Sequence, residues 1–343
     1  MSSILAGHLR ILWDIRLWNT VEKCESKQEG VSWMKVVRER DGFWKRLRIN
    51  IHTEPMLYMM LLPILFYFIF FKYVPMFGTV IAFENFRFVD GIFGSQWVGL
   101  QHFKQLFASP DFYRIFMNTL LLNVYNMVFG FPAPIILALL LNEIRCTMFK
   151  RTVQSVLYIP HFISWVVLGG IIISMFSAKG VINQIIQNCG GNPVGFLTSN
   201  ISWIMVYVFS GIWQSSGWGT IVYMAAITGI DPEIYEVAEL DGAGRLRRMV
   251  SITLPMIKST VAVMLILKMG RMMEVGFEQI YALQNDAVRS VSEVFSTYEY
   301  RFGLEGMQYS YTTALGLFKG VVGLIIVMLT NKAVKLMGEE GLW

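Results

Sequence analysis

Lys268, Arg271, Glu274 and Glu278 follow one another at steps of three, three and four within "ILKMGRMMEVGFEQIY", and Phe277 stands beside them. On an unbroken helix this spacing gathers the four charges on one face. The surrounding residues are apolar enough to lie in a bilayer, where ionisable groups are expensive and mark a pathway by default. Two chemistries fit. The face could line a water-filled path for a polar solute, or Arg271 could neutralise Glu274 one turn away and leave a structural pair. A second patch, "GIWQSSGWGTIVY", places Trp213, Gln214, Trp218 and Tyr223 in another apolar stretch. Flat rings beside hydrogen-bonding groups suit hydroxyl-rich ring compounds. The same composition also serves helix packing, because small residues and Trp are common in membrane helices.

The elements that must carry these residues are membrane spans. The chain has 343 residues, 55% of them hydrophobic and 15% charged, with a mean hydropathy of +0.50. Soluble domains carry about 25% charged residues. Six stretches reach the length that a bilayer core demands: 55–77, 117–141, 153–176, 201–227, 256–277 and 311–334. Basic residues cluster before the first stretch (Arg38, Arg40, Lys45), between the second and third (Arg145, Lys150, Arg151) and between the fourth and fifth (Arg245, Arg247, Arg248). The positive-inside rule then puts both termini and the 231–258 loop in the cytoplasm. Three cysteines and four scattered histidines form no metal-site spacing, so no metal is expected. The net charge of +5 sets orientation rather than nucleic-acid binding. Outside the membrane, Leu100, Phe103, Leu106 and Phe107 recur at helical spacing, as an interfacial anchor or a docking surface for an external partner.

The loop "DPEIYEVAELDGAGRLRRMVSITLP" reads as a helix–turn–helix. Asp231 is an N-cap and Pro232 occupies the first helical position. Glu233 and Glu236 lie where the helix dipole favours negative charge, and Gly242 and Gly244 mark the break. A basic helix comes next. Such an element is either a solvated loop or a rigid docking piece for a soluble protein.

Spacing favours docking. Glu236, Ala238, Gly242, Ile252, Leu254 and Pro255 follow the pattern E-A-A, three residues, G, nine residues, I-x-L-P, with Val237 in place of the first alanine. This resembles the signature of the membrane-spanning subunits of binding-protein-dependent ABC importers. "YIPHFISWVV", "GFEQIYAL" and "YSYTTALGLFKGVVG" extend the resemblance over about residues 45 to 343, and are similar to the LplB-type subgroup of maltose-type sugar permeases.

The resemblance implies an all-α membrane protein with six transmembrane helices, the type I ABC importer transmembrane domain with a cytoplasmic coupling helix. A cytoplasmic extension (1–50) would precede the six-helix domain (51–343), whose coupling loop is 231–258. Glu236, Ala238, Asp241, Gly242, Ala243, Leu254 and Pro255 would meet the ATPase. The implied partners are a second permease in a heterodimer, two ATPase subunits, an extracellular sugar-binding lipoprotein and the bilayer of a bacterial cell membrane. The chain has no Gly-Lys dipeptide and hence no phosphate-cradling G-x-x-x-x-G-K-[ST] loop. ATP and Mg would therefore belong to the partner ATPase, and this chain is not expected to be an enzyme or to hold a cofactor. The rival readings are a non-sugar ABC permease and an ion-coupled secondary transporter, with the charged face as its coupling site.

Residues 1–33 differ in character from the rest of the chain, and Met34 opens the family-like stretch. They are expected to be dispensable. A 1–33 deletion should assemble and transport as the full chain does, as measured by membrane abundance and uptake. Lost assembly or uptake refutes this.

Overall fold

The computed structural model describes residues 52–336 together with 338 and 341. The N-terminal extension and its expected boundary lie outside the described residues. The chain divides into two units, Met1–Phe70 and Phe71–Trp343. The described part of the first is essentially α1 (Pro55–Phe68), an apolar helix with no buried residue.

The second unit begins with a small hairpin. In it β1 (Glu84–Asn85) pairs antiparallel with β2 (Gln96–Trp97), Glu84 opposite Trp97. The helices that position the sites then come in chain order. They are α2 (Gln101–Ala108), α3 (Pro110–Tyr125), α4 (Pro132–Asn142), α5 (Thr147–Tyr158), α6 (Trp165–Phe176), α7 (Asn200–Thr228) and α8 (Pro232–Leu240). After them come α9 (Lys258–Gly270), α10 (Phe277–Leu283), α11 (Phe295–Glu299) and α12 (Tyr309–Leu336).

Among the described residues, four helical runs are long and apolar enough to cross a bilayer: Pro55–Phe83, Pro110–Asn142, Trp165–Asn188 and Tyr309–Leu336. Arg245–Met256 and α9, bent by 63°, make a fifth if counted together. α7 lies outside that set. With 29 residues it has the length to span, but the Trp213–Gly219 patch makes it less apolar.

Two expected spans are drawn differently. The third starts at Trp165 rather than 153. Pro160 sits in a 3-10 turn, and Ser164 takes an extended conformation that separates α5 from α6. The fifth stops at Gly270 rather than 277. Three other irregularities share one cause. The π turns Ile69–Tyr73, Asn126–Gly130 and Met249–Thr253 each end two residues before a proline (Pro75, Pro132, Pro255). Proline supplies no N–H and crowds the carbonyl four residues back, and the widened turn accommodates it.

α7 is the centre of the packing. Its first half buries Trp203, Val206 and Tyr207 against Leu122, Ile172 and Ile280. Its second half buries Tyr223, Met224 and Ile227 against Ile135, Leu141 and Ile257. α2 rests on the bundle through Leu106, which packs with Ile115, Phe295 and Leu315, so its apolar face has a partner within the chain. Beside the middle of α3, Glu293 is buried with its carboxylate 2.9 Å from Arg301 and 4.0 Å from Arg289. Burial pushes this carboxyl above its ordinary pKa, opposed chiefly by Arg301. Asn118 donates to the carbonyls of Ser290 (2.9 Å) and Glu293 (3.0 Å) and ties the segment to α3.

Gly217 is the tightest helix contact. A Cβ there would collide with the backbone carbonyl of Leu157 on α5. Gly217→Ala should therefore destabilise by about 1–3 kcal/mol through overpacking, seen as a lower unfolding temperature in detergent. Gly244→Ala is the control, since φ is −66° and a Cβ there meets open space. It should leave the unfolding temperature unchanged.

Candidate functional site

The 231–258 loop folds as its residues dictate. Asp231 caps α8, its carboxylate accepting from Glu233 N at 3.0 Å, and Pro232 opens the helix. At the other end Gly242 has φ +76°. Gly242 N donates to the Glu239 carbonyl (3.0 Å) and Ala243 N to the Ala238 carbonyl (2.9 Å). This is the paired closure by which a left-handed glycine satisfies the last carbonyls of a helix. A Cβ on Gly242 meets nothing within 4 Å, so within this chain only the backbone demands glycine there.

Glu236, Asp241, Gly242 and Pro255 are exposed, Ala238 is buried and Ala243 half-buried. Ala238, Asp241, Ala243, Arg247, Ser251 and Ile252 line a cavity of about 210 Å³ between the two arms. Leu254 lies on the second arm and is 37% exposed. The motif did not reveal a group of bare apolar side chains on the same loop: Val237 is 59%, Leu240 88% and Leu246 72% exposed.

The charged face predicted on the fifth span does not exist as one face. α9 ends at Gly270, residues 271–276 are non-helical, and α10 starts at Phe277. Gly270 permits the close approach of α9 to α12, where a Cβ would press on Val327. Lys268 turns away to donate from Nζ to the Asn126 carbonyl, 3.1 Å distant, in the π turn after α3. Glu278 is exposed and lines no pocket with the others.

Arg271, Glu274 and Phe277 do converge. With Val275, Gly276, Ser296 and Lys319 they line an open, half-polar pocket of about 520 Å³. Behind it Lys319 Nζ lies 2.6 Å from Glu299 Oε2, and both side chains are mostly buried. Arg271 and Glu274 make no ion pair within 4.0 Å, either with each other or with any described residue, so mutual neutralisation does not explain them. Phe277 stacks on Tyr281 at 5.1 Å, and Tyr300 touches both rings. The 13 residues of α9 rise about 20 Å, and Lys319 lies about 15 Å along α12 from Tyr309. Both distances fall within the length of a bilayer crossing, about 30 Å.

Lys319 was legible by the rule that selected Arg271, being a lone cation inside "ALGLFKGVVGLIIVML". Glu299 and Ser296 were not, since they arrive from a separate segment.

The α7 patch stands apart from this pocket. Tyr223 is buried in the core, so it packs helices and lines no accessible path. Trp218 stacks on His161 at 4.8 Å, and Gln214 reaches the His161 carbonyl at 3.5 Å. Trp213 is exposed nearby. A groove of about 490 Å³ lies elsewhere on α7, and among its lining residues only Tyr125 carries a polar group.

Comparison with known proteins places this architecture. Residues 113–337 match the family model described as binding-protein-dependent transport system inner membrane component. The chain belongs to this family. It is 49% identical over 300 residues to the polygalacturonan/rhamnogalacturonan transport system permease protein YteP of Bacillus subtilis, covering 87% of this chain and 94% of that one. It is 44% identical over 317 residues to Protein LplB of the same organism, covering 92% and 95%. Among solved structures it superposes with TM-score 0.79 and 39% identity on a chain of a bacterial alginate ABC transporter in complex with alginate pentasaccharide-bound periplasmic protein, covering 87% of this chain and all of that one. This inner membrane component is thus a multi-pass, all-α permease subunit of the ABC importer type, not a catalytic subunit.

If the pocket works as an open pair of charges, Arg271→Ala and Glu274→Ala should each cut uptake, beyond any fall in membrane abundance. The double variant should not regain it. Normal uptake by a well-expressed double variant would return both residues to a structural role.

Proposed function

We propose that this permease imports an oligosaccharide with carboxylated sugar units, delivered by an extracellular sugar-binding lipoprotein. It forms a heterodimer with a second permease and carries two ATPase subunits, which bind ATP and Mg. In this reading it spans a bacterial cytoplasmic membrane with both termini and α8 on the cytoplasmic side. Arg145, Lys150 and Arg151 share that side with Arg245, Arg247 and Arg248, as the positive-inside rule asks.

One observation carries the substrate reading: Arg271 keeps an unpaired guanidinium in a polar pocket. A guanidinium presents a planar fork that matches a carboxylate. Glu274 and Ser296 accept from or donate to hydroxyls, and Phe277 with Tyr281 offers flat faces to a sugar ring. The relatives named for polygalacturonan and alginate handle polymers rich in carboxylates, which supports the same reading. Membership of a binding-protein-dependent family weighs against an ion-coupled secondary transporter. Trp213, Gln214 and Trp218 remain a second candidate stretch of path.

Coupling would run through α8. Its exposed Val237, Leu240 and neighbouring Leu246 supply apolar contact, and Glu236 and Asp241 supply charge for a groove on the ATPase.

Two measurements test this. Uptake of oligogalacturonate should exceed that of a neutral maltooligosaccharide of equal length, and Arg271→Met should erase the difference. Equal uptake of both sugars by the wild type would reject the acidic substrate. Gly242→Asp forces a side chain into φ > 0, which strains the turn, and sets a second carboxylate beside Asp241. It should insert and pair with the second permease, yet lose the ATPase or its stimulation by loaded binding protein. Retention of both ATPase assembly and uptake would reject the coupling assignment.

A further inference from the structure

The two arms of the α8 loop are joined by more than the glycine turn. Arg248 Nη1 donates to Glu239 Oε2 at 2.9 Å. Arg248 is 13% exposed and its partner 65% exposed, so the guanidinium lies against the loop while the carboxylate faces water. Tyr235 Oη and Thr253 Oγ1 are 3.0 Å apart, and Thr253 is buried. The Thr253 hydroxyl also reaches the Arg248 carbonyl at 3.4 Å. Tyr235 packs against the cluster of Ile227, Ile230 and Ile257.

Two ties, one ionic at the far end of α8 and one hydroxylic near its start, thus join the helix to the segment Arg245–Met256. That segment meets α9 at a 63° bend. Ile257 sits at the bend, buried, with non-helical dihedrals of −94° and 6°. Beyond it α9 runs on to the turn that carries Arg271.

We propose that Arg248 is a positioning residue for energy coupling. By holding Glu239, it makes α8 and Arg245–Met256 move as one body, so that displacement of α8 arrives at the Ile257 bend and tilts α9. The inference rests on α8 being the ATPase-docking helix. Without the pair, the Tyr235–Thr253 contact would still hold the start of α8, but its far end would be joined to the second arm only through the glycine turn and could shift against it when the ATPase moves. The stabilisation from a partly exposed ion pair is small. Its importance is geometric: it fixes the far end of α8, which Tyr235 does not reach.

The test uses the reconstituted complex of both permeases and the ATPase, with oligogalacturonate-loaded binding protein and the wild type as reference. Glu239→Ala removes the contact at an exposed helix position that the fold tolerates, and Arg248→Glu replaces attraction by repulsion. Both should keep the ATPase bound at wild-type stoichiometry, and both should lose stimulation of ATP hydrolysis by at least about fivefold, the low end of typical coupling energies. The exchange Arg248→Glu/Glu239→Arg should regain most of it. Unchanged stimulation in Glu239→Ala, or no recovery in the exchange, would overturn the proposal. Loss of the ATPase from Arg248→Glu would overturn it too, by making Arg248 a docking contact. Gly242→Asp separates the two ideas: if that variant keeps both ATPase and uptake, the docking reading fails whatever Arg248 does.

Discussion

Hydrocarbon offers no hydrogen bonds, so every backbone amide and carbonyl at membrane depth must find its partner inside the protein. The departures from regular helix in this chain show how that demand is met. The π turn at Asn126–Gly130 is served by Lys268, whose Nζ takes the Asn126 carbonyl. Asn126 in turn donates from its amide to the Tyr207 hydroxyl at 3.0 Å. In the break after α9, Asn123 donates to the Met272 carbonyl at 2.8 Å and Ser296 to the Val275 carbonyl at 3.2 Å. The amides of Arg271 and Glu274 are bonded within the turn itself. Because the break is supported on both sides, its side chains are free to face the pocket, and irregular backbone at depth is tolerated where it lines a cavity.

The same demand explains why α7 and α10 are bound by polar groups as well as by apolar packing. Gln279 donates to the Tyr207 carbonyl at 2.7 Å and to Ser210 Oγ at 3.2 Å. Trp203 donates from its ring to the Leu283 carbonyl at 2.9 Å. α10 is only seven residues long and could not hold its place by burial alone. These bonds set its angle, and so the position of Phe277 at the pocket rim.

How far the sequence revealed this depended on whether a feature was local. Asp231-Pro232 and Gly242 announce a cap and a closure that need only neighbouring residues, and the structure has both. The charged face failed because the 3-3-4 spacing assumed an unbroken helix. The break rests on contacts from Asn123, Ser296 and the α12 surface, all remote in sequence. Tyr223 failed for a related reason: a tyrosine in a polar patch reads the same whether its ring meets a path or, as here, the core formed with Ile135 and Ile257. The pairing of Glu299 with Lys319 joins residues twenty apart on different helices, and no periodicity encodes it.

That pairing also bears on how the proposed path could release what it binds. The pocket and its wall hold two cations, Arg271 and Lys319, and two carboxylates, Glu274 and Glu299. With Lys319 held by Glu299, an arriving sugar carboxylate meets one available guanidinium and, three residues on, one carboxylate of its own sign. Opposite charges 4 Å apart gain about 4 kcal/mol at an effective dielectric of 20, and like charges at twice that distance lose about 2 kcal/mol. The remainder is enough to select an anion and too small to trap it. Were Lys319 unpaired, a second cation would deepen the well by a similar amount and slow release. On the proposed reading, the Glu299–Lys319 bridge would have a use beyond stability, by keeping the binding of an acidic sugar weak enough for release.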